Sequence, residues 1–321
     1  MRSSLQSSMH FKDVPFQLQA TDIKKHILNV DSRFREAGGS SSDFYFRLLS
    51  PVKNILRVRI TSIETPNNYY IFSKMRRNVT LRIMYGVVNP SSNPRVYSNF
   101  KDITIPEGNY SAFNMVDGVN AAASNAGLSW LKVRFDLITG KFVFYTMPST
   151  FFALDTALED VLPPITWYRP YDYGLGYNMG FSSGIFDSDI GVDISGNPCQ
   201  VVVSDQFAYF AGDIYHFLKV NDFDCIRQTH RGSDFMALAK VIIRDPKNYM
   251  TYDDYASQHA KEVTFPTPQD LSRLHVQLLD MYGEPVEMGS AQLSFSIEVL
   301  EIMNLSLYNT IRDAFAIGWT V

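Results

Sequence analysis

The histidine residues of this 321-residue chain do not form a pattern typical of metal binding or catalysis. They occur singly, at His10, His26, His216, His230, His259 and His275. Zinc ligation needs several ligands at short spacings on at least one element, and the sequence contains neither an HxH nor an HExxH pair. We therefore predict no metal site, and we expect His216 and His275 to be ordinary hydrogen-bonded residues of β-strands.

A glycine run from Gly174 to Gly180, with the sequence GLGYNMG, has GxGxxxG spacing. A phosphate-binding loop of this kind follows a parallel strand and opens a helix, and the flanking sequence predicts neither. The nucleotide-binding motif GxxxxGKS/T does not occur in the chain. The sequence therefore predicts no nucleotide and no other cofactor.

An acidic segment, FDSDIGVDISGN, contains Asp187, Asp189 and Asp193, whose oxygens could bind calcium. The twelve-residue calcium loop ends in a bidentate glutamate, and Pro198 occupies that position in this chain. We favour a solvated acidic turn. A thermal shift on titration with calcium would contradict this interpretation.

Scattered carboxylates give the only support for an enzyme, in this case a glycoside hydrolase. The residues concerned are Asp222, Asp224, Asp253 and Asp254. Such an enzyme needs two carboxylates that face each other across the substrate, and the sequence does not show that any two of these do so. We therefore predict that the chain is not an enzyme.

The composition favours a protein that buries much apolar surface in its core or against partners. Hydrophobic residues make up 45% of the chain and aromatic residues 14%, whereas charged residues, at 19%, fall below the usual quarter. The net charge of −4 offers no cationic field for phosphates, so no specific nucleic acid is predicted as a partner. Because the N-terminus lacks an apolar signal segment, we expect assembly in the cytosol.

The stretch from Asn29 to Tyr70 has a strong β pattern. Asp31 can bond its own backbone two residues on and start a turn, and a Gly/Ser run then leads into a strand at Phe44. Pro51 predicts a break before a long second strand. Its two faces are predicted to be Ile55, Arg57, Arg59, Thr61 and Ile63 on one side, and Leu56, Val58, Ile60 and Ser62 on the other. The arginine face would be exposed and the apolar face would pack on a core.

The middle of the chain changes character. Helical spacing predicts a helix from Ser111 to about Ser124, and two strands, Trp130–Asp136 and Lys141–Thr146, form a predicted hairpin. The segment Thr150–Asp160 is predicted to be a second short helix. Apolar residues at three- and four-residue spacing from Asn304 onwards predict a C-terminal amphipathic helix, with Asn304 or Ser306 at its start.

These elements predict a mainly β fold, an antiparallel β-sandwich of jelly-roll type with an inserted α+β module and a C-terminal helix. A double jelly roll is the alternative. The predicted divisions are an extended N-terminal arm (1–25), a discontinuous sandwich (26–99 and 198–302), an inserted module with a long aromatic loop (100–197), and the C-terminal helix (303–321).

Several segments of the chain resemble the minor structural proteins of large icosahedral double-stranded DNA viruses of the nucleocytoplasmic group. The similar segments are VDSRFR, SSDFYFRLLSPVKNI, RVRITSIETPNNYYIF, DITIPEGNYSAFNMVDGVN and RLHVQLLDMYGEPVEMGSAQLSFSIEVLE. Together they cover about half the chain in order, and the likeness is to strands and turns and not to a catalytic signature. The resemblance implies a capsid protein in the virion, with the major capsid protein as a neighbour.

We accordingly predict a non-enzymatic minor capsid protein that cements or positions major capsid subunits through its loops and terminal arms. Other minor capsid proteins, a second copy of the chain and an internal membrane face are further partners left open. The C-terminal helix either docks on a neighbouring subunit or on an internal membrane face, or packs on the chain's own sandwich. A carbohydrate- or receptor-binding β-sandwich on the virion surface is the alternative function, since exposed aromatic rings can stack on sugars.

Partner contacts are predicted where large aromatic or arginine side chains are exposed, because these residues dominate protein interfaces. The predicted contact residues are Trp167, Tyr168, Tyr171, Tyr173, Tyr177, Arg57 and Arg59. The arginines of the first quarter of the chain either meet acidic partner surfaces or packaged DNA, or form a solvated strand face. Arginine in place of lysine favours paired hydrogen bonds to carboxylates.

Overall fold

The structure is a computed structural model, and it describes residues 20–158, 174–193, 195–230, 233–245, 247, 249–253 and 261–318. These residues form a mainly β chain with antiparallel sheets and three helices, one of them C-terminal. The architecture is consistent with a β-sandwich, and it confirms the fold class predicted from the sequence.

In chain order the strands are β1 (Ile23–Asp31), β2 (Asp43–Pro66), β3 (Thr80–Val87), β4 (Tyr97–Thr104), β5 (Lys132–Asp136), β6 (Lys141–Thr146), β7 (Phe152–Asp155), β8 (Ile185–Asp187), β9 (Asp189–Val192), β10 (Pro198–Val203), β11 (Tyr215–Val220), β12 (Ile226–His230), β13 (Ser233–Ala237), β14 (Ala239–Ile242), β15 (Met250–Asp253), β16 (Glu262–Leu279) and β17 (Ser294–Ile302). The helices are α1 (Ala112–Asn125), α2 (Gly174–Asn178) and α3 (Leu305–Gly318), and 3₁₀ turns cover Ala20–Asp22 and Ser32–Phe34.

The chain divides into two units. The first consists of Met1–Asn68, Tyr215–Gln228 and Asp234–Val321, and the second of Tyr69–Ile214 and Thr229–Ser233. The domain boundaries predicted from the sequence stay a prediction. Most of the predicted N-terminal arm, residues 1–19, lies outside the described ranges.

The first unit contains a seven-stranded antiparallel sheet. Its strand order is β1-β17-β2-β16-β11-β14, and β15 pairs with the end of β2. Alternate residues of the long strands are buried, among them Leu274 and Val276 of β16 and Ile297 and Val299 of β17. This period of two is what a sheet with one core-facing side requires.

Strand β2 departs from the predicted pattern. Its register against β17 pairs Ile55 with Glu301, Arg57 with Leu300, Ile60 with Ile297 and Ser62 with Ser296. Leu56 and Thr61 are therefore extra residues that form β-bulges, and each bulge reverses the alternation of side chains. As a result Ile55 and Ile63 are buried on the same side as Val58 and Ile60, so their predicted placement on the arginine face is wrong.

The predicted break at Pro51 is also wrong, because β2 continues through this residue. Between the pairs Arg47–Arg273 and Val52–Leu271 the register shifts, so that the segment around Pro51 lies in an irregularity of the β2–β16 ladder. Proline has no N–H to donate, and an irregularity of this kind is one of the places where a sheet tolerates it.

The second unit contains two four-stranded antiparallel sheets, with the orders β4-β3-β7-β8 and β5-β6-β10-β9. The edge strands β8 and β9 are separated only by Ser188, which is fully buried. Its backbone N–H donates to Phe152 O at 2.8 Å, and its hydroxyl oxygen accepts from Phe152 N at 3.1 Å. One continuous stretch of chain therefore supplies an edge to each sheet.

The predicted helix at Thr150–Asp160 is wrong, because Phe152–Asp155 form strand β7 and none of the described residues 150–158 is helical. Phe152, Ala153 and Leu154 are all fully buried, between β3 and β8 on either side. A strand covered on both faces has a continuous apolar run, and such a run cannot be told from a short buried helix by periodicity alone.

Other local predictions are confirmed. Ser111 accepts a hydrogen bond from Asn114 N at 3.2 Å and caps α1, and β5 and β6 form the predicted hairpin. Asn304 accepts from Leu307 N at 3.1 Å at the start of α3. Each is a side-chain cap or turn signal that acts within a few residues.

Candidate interaction surfaces

The predicted aromatic contact residues are only partly covered by the structure. Trp167, Tyr168, Tyr171 and Tyr173 lie outside the described residues. Tyr177 lies in α2, and its exposed fraction is 36%. Their role in partner contacts stays a prediction.

The glycine run around Tyr177 allows two segments of the second unit to approach closely. Gly180 has a φ of +88°, and a Cβ placed there would lie 2.4 Å from the carbonyl oxygen of Gln206. Gln206 N donates to Gly180 O at 2.9 Å, and Tyr209 N donates to Asn178 O at 2.9 Å. The run therefore serves packing, because only glycine fits this position.

Three large apolar side chains lie exposed at one place on the second unit. Leu137 and Ile138, in the turn between β5 and β6, are 70% and 96% exposed, and Phe207 is 74% exposed. The turn and the Phe207 segment are joined by a hydrogen bond of 2.9 Å from Ala208 N to Gly140 O. We call Leu137, Ile138 and Phe207 the apolar tip.

The apolar tip was not predicted from the sequence. The hairpin itself was predicted, but a turn between strands is ordinarily polar, and Phe207 belongs to no strand pattern. The available signal was the pair Leu137-Ile138 inside a turn, next to Gly140. Large apolar residues in an exposed turn are unusual, and they often indicate a functional surface.

Arg57 and Arg59 lie on the half-exposed face of β2 and bind a carboxylate of the same chain. Their guanidinium groups lie 3.5 and 3.3 Å from Glu298 of β17. Lys25 of β1 approaches the same carboxylate at 3.9 Å, and Glu262 lies 3.6 Å from Arg57. Because β17 lies between β1 and β2, the single carboxylate of Glu298 attracts cations from both neighbouring strands.

Other arginines of the first quarter are paired in the same way. The pairs are Arg33–Asp31, Arg47–Glu36, Arg76–Asp213 and Arg82–Asp102. Hydrogen bonds from Arg273 and Arg47 hold the pKa of the Glu36 carboxyl below its usual value. The predicted preference of these arginines for carboxylates is confirmed, and the carboxylates belong to the chain itself.

A polar groove of about 640 Å³ runs along β16 in the first unit. His275 is one of its lining residues; it is hydrogen-bonded to Asp43 at 2.8 Å, and its ring stacks on Tyr45 with the centroids 4.5 Å apart. Asp222 and Asp224 line the groove and are exposed. The groove offers hydrogen-bonding groups to a polar ligand, and His275 has the ordinary hydrogen-bonded role that the sequence predicted.

The predicted acidic turn is correct only around Asp193, because Asp187 lies in strand β8 and Asp189 in strand β9. The Asp193 carboxylate accepts hydrogen bonds from Ser195 N at 2.8 Å and Asn197 N at 2.9 Å, and these bonds lower its pKa. Asp187 accepts instead from the Tyr97 hydroxyl at 2.6 Å. Among the described residues no group of three or more His, Cys, Asp or Glu side chains could hold a metal ion.

None of the helices in the described part of the chain has the length and apolar character needed to cross a membrane. No protein-family model matches the sequence, and no curated protein matches it. Among solved structures, the crystal structure of selenomethionine-labelled mavirus penton protein is similar over 87% of this chain and 99% of that chain, with 9% identity and a TM-score of 0.42. A likeness at this level determines neither the fold nor the function of the chain.

Proposed function

We propose that this chain is a structural protein of the virion of a large icosahedral DNA virus, a minor capsid protein that positions major capsid subunits. It would be assembled into the shell in the host cytoplasm and would act without catalysis. The virion assignment is supported by the similar segments within residues 30–72 and 273–301, which resemble the minor structural proteins of such viruses.

The observation that carries the proposal is the exposed apolar surface of a rigid antiparallel scaffold. Leu137, Ile138 and Phe207 are each at least 70% exposed to solvent. Exposed large apolar side chains grouped at one place are typical of protein interaction sites. Contacts of this kind, repeated by the symmetry of a shell, add up by multivalency.

The charged residues agree with a structural role. Arg57 and Arg59 share the carboxylate of Glu298 within the sheet, so the face that they form is held together by internal pairs. Such pairs help to keep two neighbouring strands in register. The main contact energy would then come from apolar and aromatic side chains.

Quantitative mass spectrometry of gradient-purified virions tests the proposal. The chain should be present at a constant molar ratio to the major capsid protein from one preparation to the next. It should also remain with the shell after detergent removes lipid and after the genome is released. A viral cytosolic enzyme serves as the control that should be lost. Absence of the chain from virions, or its loss together with that enzyme, would refute a structural role.

A further inference from the structure

The apolar tip is held in place by its own backbone. Gly140, with a φ of +67°, donates its N–H to Asp136 O at 2.8 Å and closes the turn that carries Leu137 and Ile138. The Asp136 carboxylate accepts from Ile138 N at 3.0 Å. A turn fixed in this way loses little conformational entropy on binding.

The Phe207 segment is fixed from two sides. Ala208 N donates to Gly140 O, and Gln206 N donates to Gly180 O, so the segment lies between the hairpin turn and the glycine run. Ser182 N donates to the Asp205 carboxylate at 2.9 Å. The apolar tip is therefore a preformed knob and not a pair of independent loops.

The base of the apolar tip carries balanced charge. Asp136 and Asp205 supply two carboxylates, and Lys141 and Arg134 supply two cations. Lys141 Nζ donates to Asp205 O at 3.0 Å, and Arg134 attracts the Asp136 carboxylate. A base with both signs offers no net attraction to an anionic membrane.

We propose that the apolar tip inserts into an apolar pocket on another protein of the shell, whose rim carries a cation for Asp136 and an anion for Lys141. This inference rests on the proposed function, because the partner that it names is a neighbour in the virion. Burial of three large apolar side chains removes their surface from water, which is the main favourable contribution to most protein–protein association.

A lipid bilayer fits the apolar tip less well than a protein pocket does. Asp136 directly precedes Leu137 and lies two residues before Ile138. Insertion of these side chains into hydrocarbon would therefore bring an ionised carboxylate close to the apolar phase. A protein pocket can enclose the three side chains and leave Asp136 and Lys141 paired at its rim.

Incorporation into virions tests the inference, with full-length variants supplied in place of the wild-type chain. Ile138→Asp should reduce the amount of the chain per major capsid subunit at least tenfold. The matched control is Ile190→Asp on β9, since Ile190 is 84% exposed in the same unit but is not part of the apolar tip. It should be incorporated as the wild type is, and both purified variants should keep the wild-type melting temperature.

Each contrary outcome has a separate meaning. Normal incorporation of Ile138→Asp, or an equal loss with Ile190→Asp, would overturn the role of the apolar tip while leaving the virion assignment intact. Sedimentation of the wild-type chain with phosphatidylcholine/phosphatidylserine vesicles, abolished by Ile138→Asp, would also overturn it, in favour of a membrane contact. Absence of the wild-type chain from virions would refute the proposed function itself.

Discussion

Asp31 shows how one side chain can end a strand and start the turn that follows. It is the last residue of β1, it is buried, and its carboxylate accepts from Arg33 N at 2.9 Å. The Arg33 guanidinium binds the same carboxylate, and its hydrogen bonds hold the pKa of Asp31 below the usual value. This contact was predictable from the sequence, because an aspartate that bonds the backbone two residues on is a local motif.

Replacement of Asp31 by asparagine removes this charge. We expect Asp31→Asn to lower the free energy of unfolding at pH 7 by about 1 kcal/mol, because the amide oxygen can still accept from Arg33 N but the charge-assisted hydrogen bonds to the partly exposed Arg33 guanidinium are lost. Because the pKa is depressed in the folded state, the contribution is complete above the unfolded pKa of about 3.9 and is lost as the pH falls through the folded value. Urea denaturation at pH 7 and at pH 3 checks both statements.

The control for this prediction is Asp222→Asn, at an exposed position of the polar groove. The two variants should differ at pH 7 and converge at low pH. A difference between the wild type and Asp31→Asn that grows on acidification would show that the carboxylate does not stabilise the turn.

One carboxylate, that of Glu298, is shared by three cations, Lys25, Arg57 and Arg59. Only 11% of the Glu298 side chain is exposed, whereas the Glu262 side chain is 44% exposed. Loss of the more buried carboxylate should leave three cations without their common partner.

We expect Glu298→Gln to destabilise the chain by about 1–3 kcal/mol, as for removal of one partner from a partly buried polar group. The matched variant Glu262→Gln should change stability by less than about 1 kcal/mol, because exposed ion pairs contribute little. Urea denaturation at low salt and at 1 M salt measures both effects. Equal effects of the two substitutions would contradict the central position assigned to Glu298.

At the scale of whole elements, the glycine run and the Phe207 segment pack together through backbone contacts. We expect Gly180→Ala to destabilise by more than about 2 kcal/mol, since its Cβ would add a steric overlap to the cost of about 1–2 kcal/mol for a non-glycine residue at positive φ. Gly196→Ala shares the positive φ, at +81°, but a Cβ there meets nothing within 4 Å. Thermal denaturation of the two variants separates the effect of the steric overlap at Gly180 from the effect of a positive φ. Equal losses of stability in the two variants would contradict the steric overlap.

The type of an element was predictable from the sequence where the signal is local. The orientation of side chains was not predictable where it depends on the register with a neighbouring strand. The helix predicted from Ser111 to about Ser124 and the β5–β6 hairpin follow from local patterns, and both predictions are confirmed. The bulges at Leu56 and Thr61 exist only in relation to β17, which lies more than 200 residues away. No pattern within β2 itself reveals them.

The candidate surfaces show the same division. The predicted pairing of arginine with carboxylates follows from the chemistry of the guanidinium group, but the identity of Glu298 as the partner depends on the strand order. The apolar tip requires Phe207 to meet a turn about 70 residues earlier in the chain. Such a contact between distant segments cannot be derived from spacing along the sequence.

At the scale of the molecule, the two units differ in how the chain builds them. All eight strands of the two four-stranded sheets, β3 to β10, lie between Tyr69 and Ile214. The strand β2 of the first unit, by contrast, pairs with β16 and β17 from the other end of the chain. The second unit thus contains its own strand partners within one continuous stretch.

We therefore expect a fragment of residues 69–214 to fold by itself. It should show dispersed amide resonances and a cooperative thermal transition, because each of its strand pairs is internal. The fragment 1–68 is the control and should remain unfolded, since the partners of β2 are missing from it. An unfolded fragment 69–214 would show that the second unit depends on the first.

The corner at Ser188 imposes a constraint on the length of the second unit's chain. Asp187 ends β8 and Asp189 begins β9, so Ser188 is the only residue that connects the two edge strands. This single residue fixes the register of each strand relative to the other along the chain. One inserted amino acid at this corner would have to push β8 or β9 out of register, whereas the same insertion in an ordinary loop would be absorbed. Natural variants of this protein should therefore differ in length at many surface loops and hardly ever at this corner.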